Sequence, residues 1–286
     1  MKLVRFGLPG SEKPGVLDAA GGIRDLSAHV ADLTPAAIGP DGLARLREVD
    51  VEALPKVEGE VRLGPPLAGT PKLICIGLNF SDHAKEAGMA IPTEPIVFMK
   101  AISAITGPTG PVVIPKNSRK LDWEVELGVV IGSKAQYVEE GRALDHVAGY
   151  CIGNDISERE WQLERGGQWT KGKSGDTFAP LGPWFVTADE VKDPQALDMW
   201  LDVNGERRQT GSTATMIFGV RHLISYLSRH MTLTPGDIIL TGTPPGVGSG
   251  MNPPVYLKPG DVMTLGVAGL GEQRTPVVSW EERPKG

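Results

Sequence analysis

The sequence predicts an α+β fold in which β structure dominates, and three observations lead to this prediction. Short apolar runs of strand length recur along the chain. The 37 Gly and 24 Pro follow no collagen period, so they indicate many turns between short strands. One stretch, Phe218 to His230, has helical apolar spacing, with Leu223, Ile224 and Leu227 on one face.

Residues 1–69 are predicted to form a small N-terminal domain of strands and one or two helices. Lys2 to Phe6 and Ile23 to Leu26 alternate apolar and polar residues, and a third strand is expected at Val16 to Asp18. Leu43, Leu46 and Val49 mark a short helical stretch, and the Pro/Gly-rich segment 62–69 leads out of the domain. No residue of this segment points to chemistry.

The main domain is predicted to be residues 70–286. It begins with the apolar run 73–80 and a short helix that Ser81 can cap. Strands are expected at Ile96 to Lys100 and, most clearly, in KLDWEVELGVVIG (120–132). Two segments, LTPGDIILTG (233–242) and LKPGDVMTLG (257–266), each combine a Pro-Gly turn with a strand.

Composition and charge exclude several classes of protein. A formal net charge of -6 argues against nucleic-acid binding, which needs a basic face. No uncharged apolar run approaches the length of a membrane span, and MKLVRFG does not resemble a signal peptide. Cys75 and Cys151 lie in apolar runs and are expected to be buried free thiols. We therefore expect a cytoplasmic, reduced protein without membrane or nucleic-acid partners.

Glu124 and Glu126 are the first candidates for chemistry. Residues two apart on a strand point to the same face, so both carboxylates project together. Two adjacent negative charges within an apolar strand need compensation, and hard oxygen ligands favour Mg²⁺, Mn²⁺ or Ca²⁺. The alternative is an exposed strand face with solvated glutamates. Asp122 is left out of the ligand set.

Asp155 is the third candidate carboxylate. It follows the apolar run in GYCIGNDIS (149–157), and the end of a strand is a usual place for a ligand. Alternatively, it caps a helix over residues 157–165.

His83 and Glu86 are three residues apart on the expected helix, within reach of one another. A carboxylate beside an imidazole is typical of a general base acting on water, although an exposed pair is the simpler alternative. Lys171 and Lys173 lie in a Gly-rich polar segment, where lysines commonly face solvent but one can bind a carboxylate. TGTPPGVGSG (241–250) lacks the ending of a P-loop, and no GxSxG elbow indicates a serine hydrolase.

Taken together, seven segments resemble the fumarylacetoacetate hydrolase family, in the family's order and across residues 71–270. They are IGLNFSDHAKE, EPIVFMK, DWEVELGVVIG, GYCIGNDISERE, QWTKGKSGDTFAPLGPW, VNGERRQTGSTATMIF and LTPGDIILTGTPPGVG. The resemblance implies a mixed β-roll, a homodimer, and an N-terminal appendage like that of longer bacterial members. The sequence departs from the family's pattern at AISA (101–104), where Pro or Thr is more usual at Ala101 or Ile102.

The resemblance also implies roles for individual residues. Glu124, Glu126 and Asp155 match the ligands of one Mg²⁺ or Mn²⁺ per subunit, and His83 and Glu86 match the water-activating dyad. Lys173 matches the catalytic lysine, whereas Lys171 has no counterpart. The positions expected to contact the substrate are Lys100, Arg159, Gln162 and Thr243.

The expected substrate is a small 2-oxo acid, and the expected reaction is hydrolysis of the C3–C4 bond of a 2,4-dioxo acid to pyruvate. The resemblance is strongest to members that act on 2,4-dioxo-3-deoxy sugar acids derived from rhamnose or fucose. Lys171, Arg159, Gln162 and Gln209 are possible donors to a hydroxylated tail. Acylpyruvate or fumarylpyruvate hydrolysis, oxaloacetate-type decarboxylation, isomerisation and ureidoglycolate lyase activity stay open as alternatives within the family. A non-catalytic, metal-stabilised binding protein is the alternative outside it.

Overall fold

The computed structural model describes residues 1–86 and 90–284, except for the side chains of residues 83, 84 and 86. Within these residues the strands, in chain order, are β1 Lys2–Phe6, β2 Lys13–Leu17, β3 Ile23–Asp25, β4 Leu73–Gly77, β5 Ile96–Lys100, β6 Ile105–Thr106, β7 Val112–Val113, β8 Leu121–Asp122, β9 Val125–Ile131, β10 Val147–Asn154, β11 Ser157–Glu158, β12 Ala179–Thr187, β13 Asp198–Val203, β14 Glu206–Ser212, β15 Ile238–Leu240, β16 Val262–Val267 and β17 Gly271–Val278.

Helices are fewer and shorter, which confirms the predicted α+β class with β structure dominant. The α-helices of the described chain are α1 Pro35–Ile38, α2 Pro40–Arg47, α3 Ser81–Glu86, α4 Thr170–Lys173 and α5 Val220–His230. The expected helix at 218–230 is α5, and it buries Leu223, Ile224 and Leu227 as its spacing predicts. A π-helical turn, Glu160–Glu164, replaces the longer helix considered for residues 157–165.

A large mixed sheet forms the centre of the molecule. Its strand order is β3-β2-β1-β12-β10-β9-β15-β4-β5, and β6 pairs with β12 off this path. The central strand β9 is buried along its whole length, as a nearly continuous apolar run predicts for a strand covered on both faces. A second sheet, β14-β13-β16-β17-β7, and the two-stranded pair β11-β8 complete the β structure of the described residues.

The N-terminal segment joins the large sheet. β1 pairs antiparallel with β12, so β1, β2 and β3 extend the sheet that carries the central strands. Leu3, Val16, Leu33 and Leu43 belong to the same hydrophobic cluster as β4, β9 and β10. The first 69 residues therefore share a sheet and a core with the rest of the chain, and the domain boundary at residue 69 stays a prediction.

Both cysteines are buried free thiols, as the sequence predicts. Burial raises the pKa of the Cys75 thiol well above its usual value and that of Cys151 to about 12. Protonated, buried thiols are poor nucleophiles. None of the helices described is long and apolar enough to cross a bilayer.

Candidate active site

Three carboxylates converge where β9 begins and β10 ends. The antiparallel register pairs Gly153 with Glu126 and Asn154 with Val125. The next step along each strand brings Asp155 opposite Glu124, and the Asp155 N–H donates to the Glu124 carbonyl at 2.9 Å. One oxygen from each of Glu124, Glu126 and Asp155 lies within 4.8 Å of the other two. Sheet register thus brings together residues that are about 30 positions apart.

The burial of these carboxylates excludes the two simpler interpretations. Glu124 is 7% exposed and Glu126 and Asp155 are 1% exposed, so Glu124 and Glu126 do not form a solvated strand face. Asp155 does not cap a helix, because Ser157–Glu158 forms a strand paired with β8. Its carboxylate contacts two lysines instead.

Lys173 bridges two members of the triad. Its Nζ lies 2.6 Å from Glu124 Oε2 and 2.8 Å from Asp155 Oδ2, and the side chain is 2% exposed. Lys171, two residues earlier in α4, is exposed and donates to the backbone carbonyl of Arg165. The structure thus separates the two lysines, and Lys171 lies away from the triad.

Lys100 is the second lysine on Asp155. Its Nζ lies 2.5 Å from Asp155 Oδ1 and 3.0 Å from the carbonyl oxygen of Ile156. Among the described residues that line the cavity beside the triad, Lys100 does not occur. Its position at the end of β5 directs the ammonium to Asp155, and its role as a substrate contact stays a prediction.

Arg159 contacts the triad through Glu124, and Gln162 contacts Arg159. Arg159 Nη2 donates to Glu124 Oε1 at 2.7 Å, and Nη1 donates to Gln162 Oε1 at 3.0 Å. Both side chains are buried and both line the cavity. Thr243 also lines it, and its hydroxyl donates to the Val125 carbonyl at 2.9 Å.

The cavity beside the triad has a volume of about 410 Å³ and is lined by a set of polar side chains, the polar wall, and a set of apolar side chains, the apolar wall. Glu124, Glu126, Arg159, Gln162, Lys173, Thr243 and Ser249 contribute polar groups. Ile76, Leu78, Phe98, Leu163, Trp169 and Val247 contribute apolar ones. The rings of Phe98 and Trp169 meet edge to face with centroids 5.3 Å apart, and Lys173 Nζ lies 5.0 Å from the Phe98 centroid.

Gly77 makes room for this apolar wall. A Cβ at Gly77 would lie 2.4 Å from a ring carbon of Trp169, closer than real contacts allow. The indole therefore packs directly on the backbone at the end of β4. The two aromatic wall residues were not identified from the sequence, although Trp169 lies in the QWTKGKS segment that drew attention to Lys173.

The charges of the site distort its protonation equilibria. Burial opposes ionisation of Glu124, but the attraction of Lys173 and Arg159 outweighs it and lowers the Glu124 pKa to about 2. Burial also opposes the charged form of Lys173, yet Asp155 and Glu124 raise the pKa of that ammonium above its usual value. For Glu126, burial and the neighbouring charges of Asp155 and Glu124 act together and raise its pKa well above the usual range.

Glu126 is the triad carboxylate that makes no ion pair with a described basic side chain. Its Oε2 accepts from the Gly242 N–H at 2.8 Å. A buried carboxylate without a cationic partner is costly unless a metal ion or a proton neutralises it. Three convergent carboxylate oxygens are a ligand set for Mg²⁺ or Mn²⁺. The residues therefore fit a divalent ion.

The depressed pKa of Glu124 makes part of the metal-free protein's stability pH-dependent. Its pairing with Lys173 and Arg159 stabilises the fold fully above the ordinary value of 4.5, and this contribution is lost as the pH falls toward 2. We expect the gap in unfolding free energy between wild type and Glu124→Gln to shrink by on the order of 3 kcal/mol over that range. Urea unfolding of both proteins at several pH values measures the gap, and a constant gap contradicts the assignment.

The predicted dyad cannot be placed at the level of side chains. His83 and Glu86 belong to α3, whose backbone is described, but their side chains lie outside the described residues. α3 begins three residues after Leu78, which lines the cavity. The roles of His83 and Glu86 stay predictions.

Gln209, one of the donors expected for a substrate tail, makes its hydrogen bonds within the protein instead. It is fully buried, its amide donates to Thr243 Oγ1 and the Pro244 carbonyl at 2.8 Å each, and its oxygen accepts from the Val125 N–H at 3.0 Å. It links β14 of the second sheet to the first residue of β9, which contains Glu126.

The fold and the site together define a class: a mixed β protein with a buried three-carboxylate centre beside a lysine. The chain belongs to the fumarylacetoacetate hydrolase family, since the model described as fumarylacetoacetate (FAA) hydrolase C-terminal matches residues 72–278. A Burkholderia cenocepacia protein named as a hydrolase by inference is 62% identical over 274 residues, which cover 96% of this chain and 97% of that protein.

Solved structures of similar proteins carry both hydrolase and isomerase names. The fumarylacetoacetate hydrolase of Exiguobacterium antarcticum matches with a TM-score of 0.88 and 38% identity, covering 98% of this chain and 99% of that one. A chain described as a probable 2-hydroxyhepta-2,4-diene-1,7-dioate isomerase, from Mycobacterium abscessus, matches with 0.84 and 36%, covering 99% and 100%. The maleylpyruvate hydrolase of Sphingobium sp. SYK-6, in complex with manganese(II) and pyruvate, matches with 0.82 and 32%, covering 98% and 99%.

Proposed function

We propose that this protein is a metal-dependent hydrolase that cleaves the C3–C4 bond of a 2,4-dioxo acid and releases pyruvate. The observation that carries the proposal is the buried Glu126, which has no ion-pair partner among the described side chains. It lies beside Glu124 and Asp155 and faces a cavity that Lys173 and Arg159 also line. The manganese and pyruvate bound to the similar maleylpyruvate hydrolase support the same pairing of metal and product. One Mg²⁺ or Mn²⁺ per subunit, held by Glu124, Glu126 and Asp155, is part of the proposal.

The reaction balances as a hydrolysis. Water adds to the C4 carbonyl, the C3–C4 bond breaks, and its electron pair passes to C3, which takes up a proton to become the methyl group of pyruvate. The C4 fragment leaves as a carboxylic acid. A bound divalent ion supplies Lewis-acid polarisation of the 2-oxo group.

The chain's own residues supply binding and proton transfer. Arg159 and Lys173 are cationic side chains at the polar wall and attract the carboxylate of the substrate. The raised pKa of Lys173 keeps its ammonium protonated, which suits it to stabilise developing negative charge. Lys173 is also the proposed source of the proton that C3 requires. His83, oriented by Glu86, is proposed to deprotonate the attacking water.

The side chains that line the cavity determine which substrate tail it favours. The proposal from the sequence is a 2,4-dioxo-3-deoxy sugar acid of the rhamnonate or fuconate type. Gln162 is the tail donor that remains for it at the cavity, because Arg159 is assigned to the carboxylate of the substrate. Lys171 and Gln209 no longer support that tail, because Lys171 is exposed and Gln209 is used internally. The apolar wall formed around Phe98 and Trp169 favours a second candidate, an acylpyruvate with an apolar tail.

A substrate panel separates these candidates. Wild-type protein is assayed with deoxy sugar dioxo acids, acetylpyruvate and fumarylpyruvate, with and without Mg²⁺, by pyruvate release. We expect metal-dependent pyruvate release, and the ratio of kcat/KM values decides the tail. A site that binds a tail hydroxyl through one buried hydrogen bond favours the sugar acid. The expected preference, converted from the kcat/KM ratio to a free energy, is about 1–3 kcal/mol. A higher value for acetylpyruvate rejects the sugar acid and keeps the reaction class.

The same panel tests the other activities of the family. Oxaloacetate measures decarboxylation, and an unsaturated 2-hydroxy dioate measures isomerisation, the activity in the name of the M. abscessus neighbour. Ureidoglycolate is included as the lyase substrate. Isomerisation or lyase turnover without pyruvate release from any dioxo acid contradicts the proposed hydrolysis, and binding without turnover of any compound favours a non-catalytic role. A homodimer in the cytoplasm completes the proposal, and light scattering of the purified protein measures its oligomeric state.

A further inference from the structure

Asp122 is a fourth buried carboxylate at the site, and it lies outside the triad. It is 0% exposed and ends β8, two residues before Glu124. Its Oδ1 accepts from the Trp123 and Gly248 N–H groups at 2.9 and 2.7 Å. Its Oδ2 accepts from the Ser249 N–H at 3.0 Å and from Arg159 Nε at 2.8 Å. The carboxylate thus joins three separate parts of the chain.

Asp122 fixes the orientation of Arg159. The guanidinium is planar and rigid, so contacts at Nε, Nη1 and Nη2 together determine its plane. These contacts are Asp122, Gln162 and Glu124. Without Asp122 the guanidinium keeps its ion pair with Glu124 but loses the contact on its Nε edge. Arg159 lines the cavity, so its orientation determines where its remaining N–H groups point.

The cavity wall at 248–249 is built around the same carboxylate. A Cβ at Gly248 would lie 1.9 Å from the Val255 carbonyl oxygen and 2.8 Å from Asp122 Oδ1. Glycine therefore lets the backbone N–H approach Asp122, and Ser249, the next residue, lines the cavity. A larger residue at position 248 would therefore disturb the contact with Asp122.

We propose that Asp122 is a positioning residue that acts through Arg159, holding its guanidinium in the orientation that binds the carboxylate of the substrate. The inference rests on the proposed function, because it takes the ligand to be a 2-oxo acid. It adds a residue that contacts neither the ion nor the substrate but determines the affinity for the substrate.

The test is Asp122→Asn, which keeps the shape of the side chain. Its amide NH₂ faces either Arg159 and Ser249, which removes the hydrogen bond to Arg159, or Trp123 and Gly248, which leaves Arg159 a neutral oxygen. The charge-assisted contact with Arg159 is therefore lost in either orientation. We expect KM for the best 2,4-dioxo acid to rise about tenfold, the worth of one charge-assisted hydrogen bond, with kcat within about threefold. The dissociation constant of pyruvate from Mn²⁺-loaded protein is expected to rise by the same factor, with Mn²⁺ still bound at one ion per chain.

Two comparisons separate positioning from a general structural role. In the double variant Asp122→Asn/Arg159→Lys, we expect KM to equal that of Arg159→Lys alone within about threefold, because residues that act as a unit are not additive. Asp237→Asn is the matched control: Asp237 is equally buried, pairs with Lys72 at 2.6 Å and accepts the Thr234 N–H, away from the cavity. It is expected to leave KM and pyruvate affinity unchanged.

The outcomes are distinct. Unchanged KM and pyruvate affinity in Asp122→Asn, effects that multiply in the double variant, or loss of Mn²⁺ each overturn the inference. If Asp122→Asn does not fold, Asp122→Ser keeps an oxygen acceptor but withdraws the one that Arg159 uses, and the same results are expected. If wild type binds pyruvate with Mn²⁺ but cleaves no dioxo acid, the proposed function fails and pyruvate binding alone decides the role of Asp122. A wild type that binds no 2-oxo acid overturns both.

Discussion

Replacing Glu126 by Gln is expected to remove the divalent ion and to reduce turnover by more than about 100-fold. Loss of an outer-shell partner of a metal ligand costs up to about 100-fold, and loss of a ligand is expected to cost more. Glu126 is the triad member without a cationic partner among the described side chains, so an ion is its natural charge compensation. An amide at this position removes one negative charge from the ligand set. Metal content by elemental analysis and pyruvate release measure the two effects.

Removing the metal with a chelator is a second test of the proposed metal site. Excess chelator is expected to abolish turnover in wild type, and Mg²⁺ or Mn²⁺ is expected to restore it. Glu158→Gln is the matched control, because Glu158 is fully buried and accepts backbone N–H groups of Lys120 and Trp161 but does not belong to the triad. It should retain one ion per chain. Full activity in chelator, from protein that contains no metal, would rule out the proposed metal centre.

His83→Ala is expected to lower hydrolysis of a 2,4-dioxo acid by about 10²–10⁴-fold, the usual worth of general base catalysis. Decarboxylation of oxaloacetate, where present, should suffer much less, because it needs no attacking water. The comparison of the two activities in one variant therefore tests the role of His83 rather than the integrity of the site.

Lys85→Ala is the control for this variant. Lys85 lies on the same helix and is exposed, so its removal should change neither activity by more than about twofold, as is typical of surface substitutions. Equal losses of hydrolysis and decarboxylation in His83→Ala would indicate that His83 supports the site and does not act on water.

Much of the fold follows from local pattern. The alternation in Lys2 to Phe6, the apolar run 73–80 and the strand in 120–132 identified β1, β4 and β9, and helical spacing identified α5. These features depend on residues within one element, where side-chain direction repeats every 2 or 3.6 residues. The burial of Cys75 and Cys151 followed from the same apolar runs.

The site depends on contacts that no local pattern contains. Alternation placed Glu124 and Glu126 on one face, but only the register of β9 against β10 brings Asp155 to them. Lys171 and Lys173 are alike in composition and neighbourhood, yet one is exposed and the other bridges two buried carboxylates, because the short helix α4 turns them in different directions.

The sequence by itself determined the β-dominated class, the main strands, and the carboxylates and cations available for chemistry, because each depends on residue type and short-range period. Only the tertiary structure decided that the N-terminal strands extend the large sheet, that Gln209 is used internally, and that Asp122 holds Arg159 and the backbone at 248–249. Asp122 and Gly248 are 126 positions apart, and a hydrogen bond across that separation exists only when the sheets between them have formed.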